Sequence, residues 1–221
     1  MNFALHGNSP VNYLLIAGFS FLLVFLGIPS IIHITNKLQL FDNNKIERKT
    51  HRYGISRLGG IAIFCSLILT TLLFSDFSNT PISNYVISAF FLIFAVGLKD
   101  DLWGVNPGTK FFIQLLTALL LVLLADIRIS NMHGIFHIGM LPYWASVLFS
   151  TLLVIFMTNA FNLIDGIDGL LGMTSLVASV LFGLFFAYMG QQSYACIAFT
   201  LSGASLGFLW FNLSPARIFM G

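Results

Sequence analysis

The sequence predicts an all-α protein, a polytopic bundle of membrane-spanning helices, and three observations predict it. Of its 221 residues, 57% are hydrophobic and only 8% are charged, with Phe alone occurring 24 times. Mean hydropathy is +0.92, more apolar surface than a soluble domain of this length can hide. The apolar residues also gather into runs near the length of about 20 residues that crosses a hydrocarbon core of about 30 Å. Finally, the cations sort to one side of those runs when the helices alternate in direction.

Seven spans are predicted, near 11–33, 58–75, 82–98, 111–126, 143–160, 172–190 and 194–213, within a single integral membrane domain covering 1–221. The first run has no Lys or Arg before it and no small-residue cleavage pattern after it, so it reads as a retained anchor. The fourth run is short and is expected to begin near Pro107, a residue welcome in a first helical turn. Residues 127–142, with His133, His137, two glycines and Pro142, are expected to form a short hairpin or an interfacial segment. Cys65 and Cys196 lie in apolar runs without partners at metal-ligand spacing and read as core or lipid-facing thiols. No repeat, low-complexity tract or soluble domain is visible.

With seven alternating helices, Lys37, Lys45, Arg48, Lys49, Arg52, Arg57, Lys99, Lys110 and Arg217 share one side, and Arg128 alone faces the other. The positive-inside rule makes the crowded side cytoplasmic and places the N-terminus outside. Asp42, Glu47, Asp100, Asp101, Asp165 and Asp168 follow the cations, whereas Asp76 and Asp126 do not.

Three segments on the crowded side carry the candidate chemistry. Arg48-Lys49-Thr-His51-Arg52, followed by Ser56-Arg57-Leu58-Gly59-Gly60, clusters cations that suit a phosphate or diphosphate and equally suit anionic lipid. Its two glycines allow close approach of a ligand or of a neighbouring helix. Gly97-Leu-Lys99-Asp100-Asp101, read as a loop, pairs adjacent carboxylates. These need a cation, a metal or a shared proton to offset their repulsion. Paired Asp suits Mg²⁺ binding or proton abstraction, and equally a solvated loop. In the third segment Asn159, Asn162, Asp165 and Asp168 recur every three residues, so each neighbouring pair would share a helix face. Gly166 and Gly169 argue against a strict helix there. No Lys or Arg lies within about twenty residues of these two carboxylates, and unpaired Asp residues are poor helix glue, so this segment reads as a functional site.

These segments together resemble the polyprenyl-phosphate N-acetylhexosamine-1-phosphate transferases. The resemblance runs from residue 34 to the end. It rests on Arg48-Lys49-x-His51, Arg57-Leu-Gly59-Gly60, Gly97-x-x-Asp100-Asp101 with Lys110 and Gln114, Asn159-Ala-Phe-Asn162-x-x-Asp165-Gly-Ile-Asp168-Gly-Leu170, and Pro215-Ala-x-Ile218-Phe219-Met220-Gly221. The third segment looks most like the branch that transfers GlcNAc-1-phosphate to undecaprenyl phosphate. The peptidoglycan branch usually carries Pro-Thr-Met-Gly-Gly where this chain has Ser56-Arg57-Leu58-Gly59-Gly60.

The resemblance implies a reaction in which undecaprenyl phosphate attacks the sugar-linked phosphate of a UDP-N-acetylhexosamine. UMP leaves, and a cell-envelope polysaccharide is begun. It implies Mg²⁺ or Mn²⁺, a lipid bilayer, no nucleic acid, and a cytoplasmic active face in a bacterial inner membrane; a homodimer stays open. By resemblance Asp100 and Asp101 are the catalytic pair, with the division of labour between them open. Arg48, His51, Arg57, Lys110, Asn159, Asn162, Asp165 and Asp168 would bind substrate, and Asp165 and Asp168 would also help organise the metal. The family pattern continues past Phe219-Met220-Gly221 into Asp-x-Gly-Ser, whose Asp is the expected direct metal ligand, and the later helices and a His-rich sugar-reading loop follow. The chain is therefore expected to be an N-terminal portion of the fold. The competing expectation is a remnant that binds lipid phosphate without catalysis. A cation or proton transporter would want carboxylates nearer the bilayer midplane.

Overall fold

The computed structural model describes residues 10–38, 55–74 and 81–221. Among them the fold is helical: α1 (Pro10–Leu38), α2 (Gly59–Phe74), α3 (Pro81–Trp103), α4 (Pro107–Leu119), α5 (Tyr143–Ile164), α6 (Leu170–Tyr188) and α7 (Gln192–Asn212). No strand forms among the described residues, and the extended backbone there makes two isolated bridges. Among the described residues, five spans are long and apolar enough to cross a membrane: α1, Pro107–Leu124, α5, α6 and α7. The shorter α2 is also apolar. All seven predicted spans are thus helices, and the protein is an all-α polytopic membrane protein.

The largest departure concerns α3. Lys99, Asp100 and Asp101, expected in a loop, belong to its closing turns. The helix stops only where Gly104 adopts φ 73° and donates its N–H to the Asp100 carbonyl at 2.8 Å, the left-handed termination that glycine allows without a Cβ clash. α4 begins at Pro107, as expected. Its cap is Asn106, whose side chain accepts from Gly108 N, and a π turn over Leu120–Leu124 extends it.

The chain divides into two compact units, Met1–Phe77 with Ile164–Gly221, and Ser78–Leu163. In the first, α7 is the hub, packed on α1, α2 and α6. Buried residues make up 67% of its span, against 22% in α1 and α6. Small residues make that possible, as is usual where apolar lipid supplies no drive for helices to associate. A Cβ on Gly203 would overlap the Ala17 carbonyl oxygen, and one on Gly207 would lie 2.9 Å from that of Phe21. Ser20 donates to the Thr200 carbonyl at 2.6 Å, and Ser66 donates to the Ser20 carbonyl at 3.1 Å, so three helices share one polar knot. Val24, Ile28, Ala62, Phe208, Phe211 and Ile218 form the apolar core beside it.

The second unit holds α3, α4 with its π turn, the connection that follows, and α5. That connection is a hairpin. Met132 N donates to Gly139 O and Leu141 N to Ser130 O, each at 2.9 Å, and a 3₁₀ turn at Ile135–His137 closes it.

Candidate functional site

Most of the predicted site residues that fall on described residues sit where an apolar helix stops. In the second unit, the C-terminus of α3 and the N-terminus of α4 are joined by three residues, and the Asp100 carboxylate bridges the join. Its Oδ2 accepts from Lys110 Nζ at 2.8 Å and its Oδ1 from Val105 N at 2.9 Å. Both side chains are about a quarter exposed. One turn beyond Lys110, Gln114 is buried and pairs with Asn159 on α5. Asn159 Nδ2 donates to Gln114 Oε1 at 3.0 Å and to the Ile155 carbonyl at 2.8 Å. Asn162 is exposed on the last turn of α5, and Asp101 is half-buried beside Asp100.

In the first unit, the three-residue recurrence does not continue as one helical face. α5 ends at Ile164, and Asp165-Gly166-Ile167-Asp168-Gly169 is a turn. The asparagines therefore lie on helix and the carboxylates on the turn after it. Asp165 is only 9% exposed, and its partners are backbone donors 55 and 56 residues away. Met220 N reaches Oδ1 at 3.1 Å, and Gly221 N reaches Oδ2 at 2.7 Å. Asp168 Oδ2 accepts from Ala216 N at 3.1 Å. Burial pushes the Asp165 carboxyl above its ordinary value. The two N–H donors and the charge of Arg57 pull in the other direction.

Residues 218–221 are held from the opposite side by the start of α2. Phe219 N donates to Ser56 O at 2.9 Å, while Gly59 N and Gly60 N donate to Phe219 O and Met220 O at 3.0 and 2.6 Å. The free N–H groups of a helix N-terminus thus find carbonyl partners. A Cβ on Gly59 would stand 2.6 Å from Phe219 O, and one on Gly60 would stand 2.9 Å from Met220 O. These glycines admit protein backbone, the neighbour-packing use of the two that the sequence allowed.

Asn212 escaped the sequence reading. It is 1% exposed; its Oδ1 accepts from Gly169 N at 2.9 Å and its Nδ2 donates to Ile218 O at 2.8 Å. It ties the carboxylate turn to the segment that binds the carboxylates. The available signal was an amide closing the apolar run Leu209-Trp-Phe-Asn212, which reads equally well as a helix end.

Two carboxylates on one turn form a hard-oxygen set of the kind Mg²⁺ uses, completed by phosphate and water oxygens. Each engaged carboxylate oxygen keeps a second lone pair, so the N–H bonds do not by themselves use up the acceptor capacity that a cation would need. No group of three or more His, Cys, Asp or Glu side chains gathers among the described residues, so Asp165 and Asp168 suit the ion only as part of a ligand set. Arg48 and His51 lie outside the described residues.

Comparison with known proteins agrees with the motifs. A probable undecaprenyl-phosphate N-acetylglucosaminyl 1-phosphate transferase of Bacillus subtilis (strain 168) is 30% identical over 206 residues, covering 91% of this chain and 56% of that protein. A phospho-N-acetylmuramoyl-pentapeptide-transferase of Streptococcus pneumoniae (strain Taiwan19F-14) is 28% identical over 219 residues, covering 91% and 66%. The chain thus spans 56–66% of the length of these relatives. The sequence model of glycosyl transferase family 4 matches residues 83–221. Of the site residues on described positions, that match includes all but Ser56, Arg57, Gly59 and Gly60, and the chain belongs to glycosyl transferase family 4.

Proposed function

We propose that the protein transfers N-acetylglucosamine-1-phosphate from UDP-GlcNAc to undecaprenyl phosphate, releasing UMP and starting a cell-envelope polysaccharide at a bacterial inner membrane. The observation that carries this reading is the placement of the motif residues at the ends of apolar helices. An acceptor phosphate on a lipid and a donor from water meet only at that level. The choice of GlcNAc rests on Ser56-Arg57-Leu58-Gly59-Gly60; the relatives include a muramoyl-pentapeptide branch as well.

In this reading an oxygen of the lipid phosphate forms a bond to the sugar-linked phosphorus, and the bond from that phosphorus to the UMP oxygen breaks. Mg²⁺, when bound, supplies charge neutralisation for the diphosphate, and Asp165 and Asp168 would hold it. Asp100, with one oxygen engaged by Lys110 and the other by Val105 N–H, is better arranged to aim Lys110 at a phosphate than to take a proton. A phosphate is largely ionised near neutral pH, so aiming is what the step needs most. Asp101 stands beside it as the other candidate for positioning the acceptor. Arg57 supplies positive charge near the Asp165 turn.

The test is product formation in membranes containing the intact gene product, supplied with undecaprenyl phosphate and either radiolabelled UDP-GlcNAc or UDP-MurNAc-pentapeptide. Labelled lipid and UMP from UDP-GlcNAc alone support the proposal. Product from the pentapeptide donor alone moves the protein to the other branch. Retained binding of lipid phosphate with no product from either donor supports the non-catalytic remnant.

A further inference from the structure

The hairpin between α4 and α5 has no part in the proposed chemistry, yet it carries the most exposed apolar side chains of the second unit. Phe136 is 83% exposed and Met140 80%, with Ile135 and Ile138 also exposed. Phe136 is held at φ 56°, a left-handed conformation that bulky residues adopt rarely. A strained, uncovered aromatic ring at a loop tip calls for an occupant.

Three features identify the occupant. The first is depth. Ile129 N donates to Ser150 Oγ at 2.9 Å, and Ser146 Oγ donates to Ile129 O at 2.6 Å. Ser150 lies about 10 Å along the axis from the first residue of α5. α5 has 22 residues and is just long enough for a hydrocarbon core of about 30 Å, so the base of the hairpin lies level with the span.

The second feature is polarity. The formally charged residues of 125–142 are Asp126 and Arg128, and they pair with each other at 2.6 Å. Arg128 also donates to Ser146 Oγ at 3.2 Å and lies 4.8 Å from the centre of the Tyr143 ring. Cross-strand bonds Met132–Gly139 and Ser130–Leu141, with Gly134 N to Ile138 O at 3.0 Å, satisfy much of the hairpin backbone internally. An inserted segment needs this, since lipid tails offer no hydrogen bonds.

The third feature is continuity. Leu123 and Leu124 at the end of the α4 span, and Leu148 and Phe149 on α5, are exposed apolar residues of the two spans that flank the hairpin, as a surface turned to lipid requires. Tyr143 and Trp144 at the junction are the residue types that settle at the headgroup level.

We infer that the hairpin 127–142 is a membrane-embedded strap, lying in the headgroup and upper acyl layer with Phe136 and Met140 in contact with lipid. It would fix the depth of α4 and α5 at the end opposite Lys110 and Asn159. Its occupant is the bilayer itself, not a second copy and not another segment of the protein.

The test uses the intact protein with Cys65→Ala and Cys196→Ala, carrying Phe136→Cys or Met140→Cys labelled with a nitrobenzoxadiazole fluorophore. Each is reconstituted in dioleoylphosphatidylcholine vesicles with and without brominated phosphatidylcholine, and thermal unfolding before reconstitution confirms the fold. Brominated lipid is expected to quench either label by about half or more, with iodide quenching far weaker than for a soluble adduct of the fluorophore. Iodide quenching equal to that of the soluble adduct would place the hairpin in water and overturn the inference. Shielding from both quenchers would mean a protein occupant and would overturn it equally.

Discussion

Two acidic sites of this protein are built in opposite ways. Asp100 is held by Val105 and Lys110, five and ten residues along the chain, and remains about a quarter exposed. Asp165 is buried, and its donors are Met220 and Gly221, brought to it by the fold of the first unit. The first site is a property of a helix–turn–helix segment. The second exists only when α2, the 165–169 turn and residues 216–221 are assembled. A local site tolerates loss of one partner at small cost, whereas a buried one leaves an orphaned group that water cannot reach.

The largest effect should come from the backbone contact that builds the second site. Gly59→Val places a Cβ 2.6 Å from a carbonyl oxygen that its own hydrogen bond holds in place. Folded protein should be lost almost entirely, read as recovery of monodisperse protein from membranes. Gly97→Ala, in a helix of the other unit with nothing within 4 Å of the new Cβ, should instead stabilise by up to about 1 kcal/mol. Equal tolerance of the two changes would remove the contrast.

Next in size, Asn212→Ala strips Gly169 N and Ile218 O of a buried partner. A cost of about 2–4 kcal/mol is expected for two orphaned groups. Thermal unfolding in detergent measures it, and a shift indistinguishable from wild type would show that the amide clamp is replaceable.

The pH dependence sharpens the comparison further. Burial raises the Asp165 carboxyl, so the native state holds a proton that the unfolded state releases at lower pH. The resulting stability is present below the unfolded value, about 3.9, and is lost as pH rises through the raised folded value. Thermal midpoints of wild type minus Asp165→Asn should therefore fall as pH rises from acid toward neutrality. A difference that grows with pH would mean that the N–H donors and Arg57 outweigh burial.

The smallest stability effect is expected at the local site. Lys110→Met breaks a partly exposed ion pair worth about 0.5–1 kcal/mol. Under the proposed function the same change should lower transfer by about 100-fold or more, since Lys110 meets the charge of a transferring phosphate. Product formation and thermal midpoint on the same preparation separate the two effects. A loss of stability with activity intact would make Lys110 a structural residue.

The elements that were legible in the sequence are those governed by short-range rules. Seven apolar runs became seven helices, Pro107 started α4, and the glycine-bearing run 127–142 closed as a hairpin. The misjudged boundary was the end of α3. Charged residues suggested a loop at Lys99-Asp100-Asp101, but helix termination depended on Gly104 and on Lys110 pairing with Asp100. At Asn159–Asp168 the spacing was real and its meaning changed, because Asp165 and Asp168 turn away from helical geometry to accept backbone N–H groups.

By itself, then, the sequence determined the class, the seven helices seen among the described residues and the family, since composition, periodicity and ordered motifs are local quantities. Only the tertiary structure decided which donors satisfy Asp165, why Gly59 and Gly60 must lack side chains, and that Asn212 belongs with them. Those facts depend on groups tens to more than a hundred residues apart meeting within 3 Å, and no rule of spacing along a chain specifies which distant backbone will arrive.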